Sequence, residues 1–248
     1  MRENIKKTWK ALMRLMLKMY TGNYGLFVSN YLSAKGGSEK HHSQFGQDLF
    51  ALKLRTNGTE DKIFVDVGGN HPVNANNTYL LELNGWKGIA IEPQEKLRAL
   101  WPLLRKTRCI NCVIGPEEET VSFFEGLDDT AGLSGVEGFN KCDIGKYKKI
   151  QVQQRRLDSV LLENKITKVD YLSIDVEGYE MNVLNSIDLS KISVILIGIE
   201  NDLGFNWLPL IGKQLGKEMG NNKIRKILAD KGYKYIARIM SDDFFIKE

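Results

Sequence analysis

Short apolar, β-branched runs alternate along this chain with stretches whose apolar residues recur every three or four positions. Ile63-Phe64-Val65-Asp66-Val67 is the first such run, and it breaks at once into Gly68-Gly69, the pattern of a buried parallel strand arriving at a ligand crevice. Helical spacing over Tyr79, Leu80, Leu81 and Leu83 stops at Asn84-Gly85, and Gly88-Ile89-Ala90-Ile91 then predicts a second strand ending in Glu92-Pro93. Farther on, the pattern predicts a helix over 96–105, a strand over 109–114, an extra strand over 121–124 and strand signal again near 150–152. Strands over 169–175 and 192–200 follow, then a helix over 223–230 stopped by Gly232, then two runs, 233–239 and 244–247, that read as a hairpin about Ser241-Asp242-Asp243. Upstream, Ser43 opens a predicted helix carrying Phe45, Leu49, Phe50, Leu52 and Leu54. Strands alternating with helices predict an α/β fold with a doubly wound, mostly parallel sheet and an antiparallel C-terminal hairpin. The segment 126–149 is glycine-rich, polar and aperiodic, long for an internal connection, and is expected to be a functional loop or lid.

Composition narrows the class. At 248 residues, 42% hydrophobic and 27% charged, the chain fits one large α/β domain better than a disulfide scaffold or a disordered segment. Three cysteines cannot all pair, and Cys109 and Cys112, although spaced CxxC, sit inside a strand-like run with no preceding βα turn, so reduced, buried thiols are expected. The sequence holds neither an apolar run long enough to span a bilayer nor a secretory leader, which predicts a cytoplasmic protein. The formal charge of +4 is concentrated in Arg2, Lys6, Lys7, Lys10, Arg14 and Lys18, so nucleic-acid binding is not expected. Between those bases lie Ile5, Trp9, Leu12, Met13, Met16, Leu17 and Tyr20 at helical spacing, a basic amphipathic helix that either docks on the domain or contacts a partner or the inner membrane face through residues 1–33. Gly36-Gly37-Ser38 marks a joint that divides an N-terminal segment, 1–36, from a domain over 37–248.

In an open parallel sheet, ligands bind at the carboxyl ends of the strands where the strand order reverses. Asp66, Glu92, Asp175 and Glu200 all fall at such ends. The glycines after the first strand let a ligand lie against backbone N–H groups, and Glu92 is placed to accept hydrogen bonds from both hydroxyls of a ribose. The turn lacks the third glycine of GxGxxG and the chain closes in a hairpin, which favours an adenosine cofactor without a pyrophosphate.

Several segments occur together and in order: Ser43-Gln44-Phe45-Gly46-Gln47-Asp48, Phe64 to Pro72 through Asp66-Val67-Gly68-Gly69-Asn70-His71, Asn76-Asn77-Thr78-Tyr79, Gly85-Trp86-Lys87-Gly88, Ile91-Glu92-Pro93, and Leu172-Ser173-Ile174-Asp175-Val176-Glu177-Gly178-Tyr179-Glu180. In these the chain resembles the FkbM family of methyltransferases. The resemblance implies a Rossmann-like class I methyltransferase with a seven-stranded sheet and an antiparallel last strand, using S-adenosylmethionine to methylate hydroxyls on polyketides, sugars or glycan chains. It implies further that Asp66, Gly68 and Asn70 border the methionine part, Glu92 the ribose, and Val113 and Ile114 the adenine; Gln47, Asn77 and Asp175 are further candidates for the cofactor site. Gly69 stands where alanine is more usual, and His71-Pro72 replaces a looser, glycine-containing continuation.

Methyl transfer is an in-line displacement, so the protein must orient the acceptor and, for an alcohol, help remove its proton. Asp175, Glu177 and His71 are the candidate catalytic residues. Oxygen ligands from Asp175, Glu200 and Asn201 could hold Mg²⁺ against the acceptor hydroxyl; alternatively Asp175 anchors the cofactor amine while Glu177 and Glu180 cap the next helix. His71 could equally shape its own turn, and Gln44, Gln47 and Asp48 either reach the cofactor or cap their helix. The loop 126–149 and the stretch 205–215, with Trp207, are the expected acceptor walls. These features point to an O-methyltransferase acting on a carbohydrate, glycan or similar polyhydroxylated acceptor, as in polysaccharide modification. A carboxyl or nitrogen acceptor, or a non-catalytic interaction module, is the competing expectation.

Overall fold

A computed structural model describes residues 41–55, 62–127, 134–139, 147–201 and 221–248. The expectations for residues 1–36 and for 205–215 lie outside these. The described chain runs α1 (Gln47–Leu54), β1 (Ile63–Val67), α2 (Tyr79–Leu83), β2 (Lys87–Ile91), α3 (Glu95–Arg98), α4 (Trp101–Leu104), β3 (Arg108–Ile110), β4 (Val113–Ile114), β5 (Glu119–Gly126), β6 (Gly135–Val136), β7 (Tyr147–Arg155), α5 (Leu157–Glu163), β8 (Lys168–Ile174), α6 (Glu180–Asn185), β9 (Ser193–Glu200), α7 (Asn221–Asp230), β10 (Tyr233–Ile239) and β11 (Asp242–Lys247).

The main sheet has seven strands in the order β10-β11-β9-β8-β1-β2-β3. From β9 through β3 the neighbours are parallel, while β11 runs antiparallel to both β9 and β10. The order reverses between β1 and β8, which places the ligand crevice at the carboxyl ends of those two strands. Side chains alternate across the sheet with a period of two. Val65, Val67, Leu172, Ile174, Ile197 and Ile199 face one side and meet Leu157 and Leu161 of α5, Val183 and Leu184 of α6, and Ile224 and Leu228 of α7. Phe64, Tyr171, Leu196 and Phe244 face the other and meet Ala51 of α1 and Leu81 of α2. Each fully buried Leu, Ile or Phe contributes about 1.5–3 kcal/mol, and burial on both faces is why these strands read as continuous apolar runs.

Three departures from the sequence pattern have local causes. The run 109–114 is not one strand: β3 ends at Ile110 in the main sheet, and β4 joins a second, four-stranded sheet in the order β4-β7-β5-β6. At the break the Asn111 carboxamide donates to the backbone oxygens of Glu92, at 3.1 Å, and Pro93, at 2.9 Å, and so turns the chain. The helix expected over 96–105 divides into α3 and α4, because Pro102 has no N–H with which to continue the helical ladder. The helix expected from Ser43 starts at Gln47, because the Ser43 hydroxyl donates to Asp48 Oδ1 at 2.6 Å and the backbone N–H of His42 donates to Asp48 Oδ2 at 2.7 Å, holding 42–46 in a turn.

The strand signals near 121–124 and 150–152 belong to a longer ladder, in which Glu119–Gly126 pairs antiparallel with Tyr147–Gln154. The described part of the expected loop over 126–149 returns as β6 against β5, where the Ser134 hydroxyl oxygen accepts the Gly126 N–H at 2.8 Å. Cys109 and Cys112 are free thiols, and burial pushes the Cys112 thiol up to about 12, far from reactivity. Among the described residues no helix is long and apolar enough to cross a membrane.

Candidate active site

The carboxyl ends of β1, β2 and β8 frame a cavity whose remaining wall comes from the small sheet. Of the residues singled out from the sequence, Asp66, Gly68, Asn70, Asn77, Glu92, Val113, Ile114, Asp175 and Glu177 line it. Gln44, Gln94, Cys112, Phe123, Ser134, Val136 and Tyr179 line it as well. Ser134 and Val136 fall in the loop 126–149 expected as a wall of the site, whereas Phe123 carries no sequence signal for this role, because only the β5–β6–β7 pairing brings it to the crevice.

Gly68 sits where the chain leaves β1 with φ +84°, and a Cβ there would lie 1.8 Å from the backbone oxygen of Asp175. The crevice between β1 and β8 is therefore closed down to backbone contact at this point. At Gly69 a Cβ would lie 2.8 Å from the Trp101 ring, which accounts for glycine in place of the alanine the family resemblance suggests. The Trp101 indole N–H in turn donates to the Asn70 carbonyl at 3.1 Å, bracing the turn from outside the sheet.

Glu92 is 2% exposed and faces the cavity. Its two oxygens accept backbone N–H bonds from Asn70 and Gln94, each at 2.7 Å, which fixes the plane of the carboxylate and leaves a further lone pair on each oxygen. Burial outweighs these donors and pushes the Glu92 carboxyl up to about 7. Because the ordinary value is 4.5, the folded free protein binds this proton more tightly than the unfolded chain does. The associated stability is present below about pH 4.5 and lost as pH rises through about 7, to the extent of about 3 kcal/mol. Chemical denaturation of the free protein is accordingly expected to show wild type losing about that much relative to Glu92→Gln across this window. A constant difference between the two proteins would show that Glu92 does not titrate there.

Asp66 is equally buried, and its carboxylate organises the loop that follows β1. Its Oδ2 accepts from the Thr78 hydroxyl at 2.7 Å and the Asn76 amide at 3.2 Å. Burial raises its pKa, opposed by Thr78, the nearby Arg105 charge and Asn76. The Arg105 guanidinium, itself buried, donates to Glu82 at 2.8 Å, to Asn76 Oδ1 at 2.9 Å and to Thr78 Oγ1 at 3.1 Å. It also lies 4.6 Å from the centre of the Trp101 ring. Burial works against the Glu82 charge, but Thr107, Arg105 and the Lys106 N–H together hold that carboxyl below its ordinary range.

The other candidates separate. The Gln47 amide donates to Asp242 Oδ2 at 2.8 Å and its oxygen accepts the Phe45 N–H at 2.9 Å, so Gln47 ties α1 to β11 and is not among the cavity residues, whereas Gln44 is. The His71 Nδ1 accepts the N–H groups of Val73, at 3.1 Å, and Asn74, at 3.0 Å, which shapes the turn after Asn70, and the ring is not among the cavity residues either. Glu180 accepts the Gly178 N–H at 2.9 Å and so braces the turn before its helix. Glu177 precedes that glycine with φ 57°, a left-handed backbone that a side chain seldom adopts, and is among the residues lining the cavity.

Asp175 and Glu200 follow neighbouring strands, but the Asn201 side chain is committed to Asp243 Oδ2 at 2.8 Å. Among the described residues no group of three His, Cys, Asp or Glu side chains is arranged to hold a metal ion. The Mg²⁺ set expected from the sequence, Asp175, Glu200 and Asn201, gains no support from this geometry.

The family model for the methyltransferase FkbM domain matches residues 66–235, from the last polar residue of β1 into β10. No curated protein and no solved structure matches the chain. The matched stretch covers more than half of the 248 residues and contains the Gly68 turn, Glu92 and the Asp175–Glu180 loop. The chain belongs to the FkbM family of methyltransferases.

Proposed function

We propose that this protein is an S-adenosylmethionine-dependent O-methyltransferase acting on a hydroxyl of a carbohydrate, glycan or similar polyhydroxylated acceptor. The observation that carries the cofactor reading is the Glu92 carboxylate, buried, held flat by two backbone N–H groups and turned to the same cavity as the backbone of Gly68. A carboxylate so fixed suits a vicinal diol, the one feature of a ribose that discriminates it from other small polar groups. Gly68 and Asn70 would border the methionine arm, Glu92 the ribose, and Val113 and Ile114 the adenine. The strand order, with an antiparallel β11 inserted between β9 and β10, supports a class I methyltransferase sheet.

When bound, S-adenosylmethionine supplies an electrophilic methyl group. The chain's part is to exclude water, hold the acceptor oxygen in line and accept its proton. Glu177 is the proposed proton acceptor, since it lines the cavity on a strained turn, and His71 is proposed only as a shaper of the cofactor loop. A titration with S-adenosylhomocysteine tests the first level: folded protein that binds none would sink the enzyme reading. At the second level, Glu177→Gln is expected to lower labelled methyl transfer to a crude glycan extract by about 10²-fold or more while leaving the S-adenosylhomocysteine affinity within about threefold. Equal transfer by the two proteins would remove Glu177 from the chemistry.

Peripheral contact with the inner membrane face is proposed on the basic amphipathic pattern of residues 1–33. Sedimentation with anionic liposomes is expected to recover the full chain and not a variant lacking residues 1–33; equal recovery refutes the contact.

A further inference from the structure

The far half of the site carries a row of carboxylates. Ile174 is level with Ile199 across β8 and β9, so Asp175 and Glu200 leave adjacent strands side by side, and Glu200 pairs in turn with Asp242 at the start of β11. Neighbouring strands are about 4.8 Å apart, so three acidic residues stand one beside the next on one face of the sheet. Asp242 receives hydrogen bonds from Gln47 and Ser241, and the nearby Arg238 is itself held by Asp243 at 2.9 Å. Asp175 lines the cavity, and no side-chain or backbone donor among the described residues reaches its carboxylate. The charges that face it are Glu200, Asp242, Glu177 and Glu180, all acidic.

A carboxylate crowded by its like holds its proton more tightly than usual, and a cation placed beside it relieves the repulsion. In S-adenosylmethionine the sulfur joins the ribose to the amino-acid arm. In a ligand whose ribose meets Glu92, it falls toward the contact between Gly68 and Asp175. The methyl donor carries a sulfonium charge there; the demethylated product is neutral at the same atom.

We propose that the row formed by Asp175, Glu200 and Asp242 makes this site prefer the cationic S-adenosylmethionine over neutral S-adenosylhomocysteine by about tenfold or more, so that transfer of the methyl group itself loosens the spent cofactor. The proposal rests on the reading of the cavity as an S-adenosylmethionine site. Burial and the neighbouring acids raise the proton affinity of Asp175, and burial pushes the Asp242 carboxyl up to about 6. The preference therefore grows with pH as the row ionises. Glu92 faces both ligands alike, so its own titration cancels in the ratio of the two affinities.

Isothermal titration of the full chain with each ligand, from about pH 6 to about pH 8.5, is the test. The expected result is an affinity ratio of about ten or more in favour of S-adenosylmethionine at the upper end, smaller at the lower, and reduced to within about threefold of unity by Asp175→Asn or, where that variant fails to fold, by Glu200→Gln. A ratio at or below one, a ratio that does not change with pH, or one unmoved by the variants overturns the proposal while leaving the cofactor site intact. Absence of binding by either ligand overturns the site reading together with it.

Discussion

Replacing Gly68 with alanine is expected to abolish measurable S-adenosylhomocysteine binding, a loss of about 10²-fold or more, and to cost the free protein about 3 kcal/mol or more. The new methyl group would be placed 1.8 Å from the Asp175 backbone oxygen, well inside any tolerable contact, on a backbone with φ +84° that alanine avoids. The Cβ is fixed in place by the backbone and the oxygen is itself main chain, so no side chain can swing aside. Relief requires β1 and β8 to part at their carboxyl ends, where Asp175 N donates to Val67 O at 3.0 Å. Thermal melts and calorimetric titration check the two effects separately. Gly69→Ala provides the comparison, because its clash is with the Trp101 ring and not with backbone. A Gly68→Ala protein with wild-type melting temperature and affinity would mean that the crevice is looser than the structure shows.

Arg105→Met is expected to lower stability by about 3–5 kcal/mol, because it removes the cation from a buried network and leaves acceptors behind. For a chain of this size that corresponds to a melting temperature lower by about 10 °C. Its guanidinium serves Glu82, Asn76 and Thr78 at once, and Thr78 relays the contact to Asp66. The same variant should weaken S-adenosylhomocysteine binding, since the loop 69–78 carries Asn70 and Asn77 to the cavity. Arg105→Lys is not expected to restore stability, because an ammonium cannot span three acceptors in one plane. Full rescue by lysine would reduce the role of Arg105 to a point charge.

The sequence and the structure agree best where burial leaves a one-dimensional trace. β1, β2, β8 and β9 are apolar on both faces and end in Asp66, Glu92, Asp175 and Glu200, so their order along the chain and the chemistry at their ends can be read directly. The roles proposed for Glu92 and Gly68 follow from the same logic. What escaped is what depends on contacts between distant residues. Arg105 reads as a charged helix end, and nothing in its neighbours announces the buried acceptors it meets across more than twenty residues of sequence. Asp242 reads as a turn residue, and only its register with Glu200 reveals it as part of an acidic row. The Gln47 and Asn201 amides each donate to a carboxylate distant in sequence, which nothing in their own neighbours announces. The run 109–114 is uniformly strand-like, and a single carboxamide, Asn111, decides that it serves two sheets.

The ladder between β5 and β7 has a consequence for how this family member could diversify. Because Glu119 through Gly126 is zipped in register against Gln154 through Tyr147, whatever chain leaves at 127 must return at 147. The ladder thus behaves as a stem with an exchangeable tip, and the entropy of closing such a tip rises only by about 0.6 kcal/mol for each doubling of its length. Gly68, Glu92 and Asp175, at the ends of β1, β2 and β8, lie outside the stem, whereas Ser134 and Val136 of the tip line the same cavity. A transplanted or lengthened tip would therefore reshape one wall of the cavity while the strand ends keep their places, making the stem the natural graft point for retargeting this protein.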